Sequence, residues 1–420
     1  MTINEKHVHP DRGRRTALIQ KGEKYSKKLS SIVTKCDYAK SESSLCIAGD
    51  AKYQNSVIKK VEHLKGAKYV ILAGIGGSNL GTEAIYSALA FQTGPRLFVL
   101  DAIEKDTYNI LKDLVDDIGS VEELALVVVS KSGTTSETIA NGVAALEILE
   151  EKFGASVATR TVFIGSDGTE FLKVGKKKKV TCVTFPESIG GRFSVFTAVG
   201  IVPLYLLGID TVALREGALA ALTLEQRKQT VESAVSLALL AEDGMHTVNF
   251  FTFNERLHLL GFWYRQLLAE SIGKTMTTDG TTFCHQLLPT VATSVDLHSM
   301  AQLYLGGYRG MYTHFVYADT ESEYHTLADH WLLRHTPNLK GHTPQEVKNA
   351  IRQGVLQAYD DKKLPYRLTA LDKLTAFELG LLMSSLMCEV MVLAHLFDVN
   401  AFDQPNVESY KLHTREILKH

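Results

Sequence analysis

Two loops in this sequence carry the residue types that bind phosphate groups. The first reads GIGGSNLG at Gly74–Gly81 and follows an apolar run that ends at Ala73. Glycines let the backbone approach an anion closely, and the N–H groups that open a helix point towards that anion. The loop therefore predicts an anion site, with an ordinary tight strand-to-helix turn as the alternative.

The same loop also allows a dinucleotide-binding interpretation. Asp101 ends the next apolar run, where a residue that binds a ribose hydroxyl would be expected. The glycine spacing disagrees, because Asn79 stands where the third glycine of GxGxxG would be. The spacing therefore favours the simpler anion site.

The second loop reads SKSGTTSET at Ser130–Thr138 and follows a run that ends at Val129. Four hydroxyls within six residues, set before a helical pattern, supply side-chain donors in addition to backbone N–H groups. A Ser/Thr-rich helix cap is the alternative. Because the lysine precedes the glycine, unlike the GxxxxGK[ST] loop of nucleotide triphosphate sites, a single phosphate on a small molecule is the favoured ligand.

Parallel strands must position both loops. Apolar runs at 68–73, 97–101, 124–129, 161–164 and 180–185 predict strands, and helical spacing appears at 82–91 and 136–150. β-branched runs without polar alternation are typical of strands covered on both faces, so we expect a parallel sheet flanked by helices. Ligands of such sheets bind at the carboxyl ends of the strands, where both loops lie.

A second α/β set follows. The sequence predicts strands at 248–253 and 315–317 and helices at 256–270 and 377–397. The chain is long enough for two domains of ordinary size. We therefore expect an N-terminal helical arm over 1–45, α/β domains over 46–205 and 206–400, and a C-terminal segment over 401–420.

Composition excludes several classes of protein. The 420 residues carry a net charge of −2, which disfavours a nucleic-acid binder. Five scattered cysteines without CxxC spacing indicate a reducing cytoplasm, and no secretory signal is evident. Glu389 and His395 interrupt the most apolar window, so a buried helix is expected there rather than a membrane span. The histidine pairs His7/His9 and His330/His335 lack a consistent carboxylate partner at ligand spacing, so we expect no metal.

Four further segments carry a family resemblance. They read ESIGGRFSV at Glu187–Val195, ESIGK at Glu270–Lys274, DLHSM at Asp296–Met300 and FDQPNVESYK at Phe402–Lys411. Together with the two loops, and in the same order, they resemble the motifs of the glucose-6-phosphate isomerase family. The resemblance implies two sugar-isomerase (SIS-type) α/β domains, a C-terminal segment that returns to the active site, and interconversion of glucose 6-phosphate and fructose 6-phosphate in glycolysis and gluconeogenesis.

The resemblance also implies residue roles. Glu270 would carry a proton between C2 and C1 through a cis-enediol, and Arg192 would stabilise the negative charge of the enediolate. His298 would assist ring opening, with His285 as a nearby rival, and Lys411 would act near the same hydroxyl. The substrate contacts would be Gly77, Ser78, Ser130, Lys131, Ser132, Thr135, Thr138, Gln266 and Gln404.

This chemistry needs neither a metal nor a nicotinamide, so we expect no cofactor. The family resemblance implies a homodimer in which His298 completes the partner's site, without nucleic acid or membrane. Two residues depart from the family pattern: Ile272, where many relatives carry a polar residue, and Asn406, which replaces a glycine. Asn tolerates the left-handed backbone conformation that a glycine there would adopt.

Two other functions stay open at this point. One is an isomerase of the same fold that also accepts mannose 6-phosphate, which the residues do not distinguish. The other is a sugar-phosphate sensor without catalysis, which would need the hydroxyl-rich loops but not Glu270, His298 and Lys411 together. Such a sensor is typically joined to a DNA-binding segment, and no helix-turn-helix pattern with a basic face is evident in the sequence.

Overall fold

The computed structural model describes residues 1–8, 12–90, 94–319, 325–328 and 330–419. The described strands are β1 Thr2–Lys6, β2 Tyr69–Ala73, β3 Arg96–Leu100, β4 Leu124–Val129, β5 Thr161–Gly165, β6 Thr181–Thr184, β7 Thr247–Thr252, β8 Leu288–Thr293, β9 Met311–Ala318 and β10 Tyr366–Leu371. The described α-helices are α1 Arg12–Lys35, α2 Ala51–Val61, α3 Leu80–Leu89, α4 Lys105–Asp117, α5 Ser136–Phe153, α6 Glu170–Lys177, α7 Ala198–Leu206, α8 Thr211–Ala220, α9 Leu224–Glu242, α10 His258–Ile272, α11 Pro344–Asp361, α12 Ala376–Leu396 and α13 Glu408–Ile417.

The first sheet is parallel throughout, in the order β3-β2-β4-β5-β6. Its strands are buried on both faces. In β2, Val70 and Leu72 pack into one apolar cluster, while Ile71 and Ala73 pack into the cluster on the opposite face. This double burial explains why the strand sequences lack polar alternation, and it confirms the predicted parallel sheet flanked by helices.

The predicted elements of this half agree closely with the structure. Its five strands lie within a residue or two of the predicted runs. The helices α3 and α5 lie where the helical patterns at 82–91 and 136–150 predict them. The last residue of the first pattern, Phe91, lies outside the described residues.

The second sheet has the order β1-β10-β9-β7-β8, with β1 antiparallel to β10 and the other neighbours parallel. The sequence predicts β7, α10, part of β9 and α12, but it does not predict β1, β8 or β10. β1 lies within the range predicted as a helical arm, of which residues 9–11 are outside the described part. The domain boundaries at 45, 205 and 400 stay predictions.

The apolar helix α12 runs through the core of this second half. By length and composition it could cross a membrane, but 94% of its most apolar window is buried inside the protein. Its Glu389 accepts a hydrogen bond of 2.6 Å from Arg367 on β10, and Arg367 also donates to Glu5 on β1 at 2.9 Å. A buried charge needs such a partner, so this pair accounts for the acidic residue within the apolar window.

The helix α10 connects the two halves. It packs against α3 of the first half and against β8 of the second. A Cβ on Gly81 of α3 would lie 3.7 Å from Cδ1 of Trp263 on α10, which shows how closely the two helices approach. A Cβ on Gly76, in the loop after β2, would lie 2.9 Å from Nε2 of Gln266, so the C-terminal half of α10 lies beside the carboxyl edge of the first sheet.

Candidate active site

The glycine loop after β2 forms a short 3₁₀ turn, Gly76–Ser78, before α3 begins. Gly76 has a φ of +61°, a conformation that residues with a Cβ rarely adopt. A Cβ on Gly77 would lie 2.2 Å from the carbonyl carbon of Gly191, so the backbones of the two glycine-containing loops touch. Glycine at 77 is therefore required by the packing of the loop that carries Arg192.

The hydroxyl loop after β4 turns at Gly133, whose φ is +70°. Ser130 is buried and donates through its hydroxyl to Thr135 at 3.3 Å, and Thr138 is buried in the first turn of α5. Ser132 is exposed. The loop thus presents hydroxyls around a helix N-terminus, an arrangement that can bind an anion.

Lys131 connects this loop to the loop after β6. Its Nζ donates to the carbonyl of Ile189 at 3.1 Å. Burial lowers the pKa of Lys131, and the nearby carboxylate of Glu187 opposes the shift. Because β2 and β4 are neighbouring parallel strands, about 4.8 Å apart, the glycine and hydroxyl loops lie side by side at one edge of the sheet.

Arg192 occupies the centre of the arrangement and is 3% exposed. Its five N–H donors all have acceptors. Nε donates to Ser271 Oγ at 2.9 Å, Nη1 to Glu270 Oε2 at 3.0 Å and Gln404 Oε1 at 3.1 Å, and Nη2 to the carbonyls of Ala401 and Asp403 at 2.5 and 3.1 Å. The guanidinium is therefore fixed in place before any ligand binds.

Glu270 lies in the last turn of α10, with both carboxylate oxygens held. Oε1 accepts from Gln266 at 3.0 Å, and Oε2 accepts from Arg192 at 3.0 Å. A Cβ on Gly76 would lie 2.9 Å from Nε2 of Gln266, so the glycine loop contacts the residue that donates to Glu270. The Glu270 side chain is 29% exposed, which leaves it accessible from the cleft.

Lys274 ties the end of α10 to the C-terminal segment. Its Nζ donates to the carbonyl of Glu270 at 2.8 Å and to that of Asp403 at 3.0 Å. The residue types alone assign no role to Ser271, Lys274, Ala401 or Asp403, although Ser271 and Lys274 lie in the ESIGK segment. The carbonyl acceptors at 401 and 403 leave no signal in a sequence, since every residue has a carbonyl.

Burial sets the electrostatics of this centre. Desolvation lowers the pKa of Arg192, and the carboxylate of Glu270 opposes that shift. Desolvation also lowers the pKa of Lys274, with the carboxylate of Asp403 acting in the opposite direction. Charges removed from water act on one another more strongly than charges at the surface, so this pocket can stabilise a developing negative charge.

His298 lies outside the cluster formed by Arg192 and Glu270. It ends the 3₁₀ turn Ser294–His298, which follows the carboxyl end of β8, and it is exposed. A Cβ on Gly261, in the first turn of α10, would lie 2.5 Å from Val291 near that end of β8, so the opposite end of α10 carries Glu270. The nine residues from Gly261 to Glu270 rise about 14 Å at 1.5 Å per helical residue, so the two catalytic candidates lie towards opposite ends of α10 in one chain.

His285, the rival histidine, precedes β8 and is exposed. The next residue, Gln286, donates to the carbonyl of Lys274 at 2.5 Å, so this segment lies on the Glu270 side of the second sheet. Lys411 is half-buried on α13, which begins four residues after Gln404. Gln404 contacts Arg192 directly.

The two departures from the expected motifs fit the packing. Ile272 is fully buried in a large apolar cluster that contains residues of both halves. Asn406 lies in the 3₁₀ turn Pro405–Val407 and is absent from the positive-φ residues of the described chain. The left-handed conformation expected at this position is therefore not used.

The comparisons with known proteins agree with this geometry. The phosphoglucose isomerase family model matches residues 52–420. A glucose-6-phosphate isomerase of Methanocaldococcus jannaschii is 28% identical over 399 residues, which cover 90% of this chain and 93% of that protein.

Two solved structures share the fold. A hypothetical protein from Thermus thermophilus superposes with a TM-score of 0.86 at 24% identity, over 100% of both chains. A glucose-6-phosphate isomerase from Chlamydia trachomatis superposes with a TM-score of 0.74 at 20% identity, over 90% of this chain and 75% of that one. The sheets, helices and site loops described above therefore belong to a fold that recurs in solved structures.

Proposed function

The chain belongs to the phosphoglucose isomerase family, and from this premise we propose that it is an aldose–ketose isomerase that interconverts glucose 6-phosphate and fructose 6-phosphate in glycolysis and gluconeogenesis. The free, scattered cysteines of the described chain support a reducing, cytoplasmic location. Its substrate would be a phosphorylated hexose, and its chemistry would use side chains alone.

One observation carries this proposal: the carboxylate of Glu270 is held by Gln266 and Arg192 at the edge of the sheet that also presents the two loops. Isomerisation through a cis-enediol needs one base that reaches both C1 and C2. A carboxylate fixed beside a cleft, with a cation bonded to it, meets that need. The hydroxyl loop would bind the phosphate at the far end of the same small molecule.

The proposed mechanism follows from these positions. Glu270 removes the proton from C2 of the open-chain aldose, and the charge that develops on the oxygen is stabilised by Arg192. The proton of the C2 hydroxyl passes to the oxygen on C1, and the carboxylic acid returns its own proton to C1, which gives the ketose with its carbonyl at C2. Gln266 and the loop residues Ser130, Lys131, Ser132, Thr135 and Thr138 would orient the substrate, and fixed orientation alone contributes up to ~7–11 kcal/mol of barrier lowering in the best cases.

We infer that the active unit is a homodimer in which His298 serves the site of the neighbouring chain. The separation from Glu270 supports this inference, because His298 and Glu270 of one chain lie towards opposite ends of α10. Exposed apolar side chains close to His298 in the sequence also support it: Val295 is 66% exposed and Leu303 is 43% exposed. Exposed apolar residues grouped on one face are typical of subunit contacts.

The first test is turnover. The purified protein should convert fructose 6-phosphate to glucose 6-phosphate in a dehydrogenase-coupled assay, with little turnover of mannose 6-phosphate. Comparable turnover of both substrates would assign the broader specificity. Binding of fructose 6-phosphate without conversion would assign a sensor and refute the isomerase.

The second test addresses the shared site. Glu270→Gln and His298→Ala chains should each retain about 1% of wild-type activity or less alone, and regain activity when unfolded and refolded together. Half of the dimers would then be mixed, and each mixed dimer would hold one intact site, so about a quarter of the wild-type activity is expected. Activity no greater than the sum of the parents would place both residues in one chain.

A further inference from the structure

A pair of carboxylates lies directly behind the glycine loop. Asn79 follows Ser78 and is 1% exposed. Its Nδ2 donates to Oε1 of Glu83 at 2.6 Å and to Oδ2 of Asp101 at 3.2 Å. Glu83 belongs to the first turn of α3, and Asp101 follows the last residue of β3. One amide therefore ties the loop to the helix and to the neighbouring strand.

The carboxylates determine the orientation of this amide. In the described part of the chain, the buried Oδ1 of Asn79 has no hydrogen-bond partner. Turning the amide over would satisfy neither carboxylate and would place Oδ1 against their negative oxygens. An unpaired buried oxygen costs free energy, so the two bonds to the carboxylates must outweigh that cost. The backbone N–H of Asn79 also donates to the carbonyl of Gly76 at 3.2 Å, which closes the glycine turn.

The pair is unfavourable for folding when both members are charged. Burial, and then the charge of Asp101, raises the pKa of Glu83 to about 7. The elements packed against α3 carry further titratable groups. These are Glu255 and Arg256 in the turn before α10, His258, Tyr264, Arg265 and Glu270 on α10, Tyr205 on α7, and Glu378, Cys388, Glu389 and His395 on α12. The charge that acts on Glu83 most strongly is nevertheless that of Asp101.

The sign of the linkage follows from the direction of this shift. A carboxyl whose pKa is raised in the folded state stabilises the fold most at low pH, and this stabilisation is lost as the pH rises through about 7. The ionised form of Glu83 lowers the stability of the fold, so folding stability gives no reason for a charge at this position. A costly charge beside a binding loop points to a role in function.

We propose that Glu83 and Asp101 are positioning residues for the isomerisation: through Asn79 they hold the Gly76–Ser78 turn in the conformation that receives the substrate. This inference rests on the proposed function, which brings Gly77 and Ser78 to the substrate. An ionised carboxylate accepts a stronger hydrogen bond than a neutral carboxyl. Proton uptake by Glu83 therefore loosens the turn and weakens substrate binding.

The experiment compares Glu83→Gln, Asp101→Asn and the control Asp113→Asn, which makes the same chemical change at an exposed position on α4. The values of kcat and KM for fructose 6-phosphate are measured from about pH 5.5 to 9. Glu83→Gln should lower kcat/KM at pH 8 about fivefold, mainly through KM. It should also remove the decrease in kcat/KM that the wild type shows on the acidic side near pH 7. Asp101→Asn should shift that limb to lower pH, because the like charge is gone, and Asp113→Asn should match the wild type.

The substrate phosphate titrates near pH 6, but it contributes equally to every variant, so differences between variants report the protein. Thermal unfolding separates positioning from a structural role. Glu83→Gln should raise the melting temperature at pH 8.5 although it weakens catalysis. A lower melting temperature with unchanged kcat/KM and an unchanged pH profile would overturn the proposal.

Calorimetric binding of fructose 6-phosphate keeps this inference distinct from the proposed function. A wild type that binds the sugar phosphate without converting it would refute the isomerase. Even then, the positioning role predicts about fivefold weaker binding by Glu83→Gln at pH 8. Equal binding by Glu83→Gln and the wild type would refute the positioning role, whatever the turnover.

Discussion

The carboxyl edges of the two sheets differ in how complete they are within one chain. At the first edge, Arg192 is buried and all five of its N–H donors are paired before a ligand arrives. At the second edge, His298 is exposed, and its turn also contains the exposed apolar residue Val295. Under the proposed function, one chain would build the base and the charge-stabilising group by itself, whereas the acid for ring opening would come from a second copy.

The first edge is also rigid for a physical reason. Arg192 receives its acceptors from α10 and from the C-terminal segment, and Lys274 fixes these two pieces to each other. A base and an electrostatic group that are held before binding lose little freedom at the moment of reaction. Substitutions at Arg192, at His298 and at the backbone contact between Gly77 and Gly191 should therefore differ in their effects.

The largest effect is expected for Arg192→Lys. A lysine has three donors on a flexible stem and cannot reproduce five bonds in one plane, so the enediolate would lose its fixed cation. We expect kcat to fall about 10³-fold while the chain stays folded. Steady-state assays at saturating fructose 6-phosphate measure this loss, with Arg334→Lys at an exposed turn as the control. A loss below tenfold would show that the buried guanidinium is structural.

An intermediate effect is expected for His298→Ala. Loss of a general acid lowers the rate about 100-fold, and the loss should be largest with the cyclic sugar that must be opened. The matched variant is His285→Ala, which removes the rival histidine on the Glu270 side of the second sheet. If His285→Ala proves the more damaging of the two, the comparison between the edges is reversed and the single chain holds the whole site.

The smallest effect of the three is expected for Gly77→Ala. The added Cβ would lie 2.2 Å from the carbonyl carbon of Gly191, which is backbone and cannot rotate away. The loop that carries Arg192 must then shift, with about a tenfold loss of kcat and about 2 kcal/mol less stability.

The control for this variant is Gly354→Ala on α11, where a Cβ would meet no atom within 4 Å. Kinetics and denaturant unfolding of both variants measure the effects. Wild-type kcat in Gly77→Ala would mean that the two glycine loops can separate without consequence.

The first sheet and its loops were predictable because local signals agree there. In β4 all six residues are buried and apolar, and the next residues carry the hydroxyls of the anion loop. Strand, turn and ligand chemistry thus follow one another within a short segment of chain. The same agreement holds for β2 and the glycine turn.

The second sheet was harder to predict because its strands depend on distant residues. β10 contains Arg367, which is 1% exposed and reads as a surface residue in isolation. Its burial becomes favourable only beside Glu389 from α12 and Glu5 from β1. A single sequence does not show this pairing, so β1 and β10 were missed. The sequence does not predict the carbonyls of Ala401 and Asp403 as acceptors, because every residue type has a main-chain carbonyl.

The most direct measurement of the central claim is transfer of solvent hydrogen to the substrate. Wild-type protein and Glu270→Gln are incubated with fructose 6-phosphate in D2O, and deuterium at C1 and C2 is followed by NMR, with Glu255→Gln as an exposed control. Removal of the base should slow the exchange about 10³-fold or more, because an amide cannot accept the carbon-bound proton, and the control should match the wild type. Exchange by Glu270→Gln at the wild-type rate would mean that another group moves the proton.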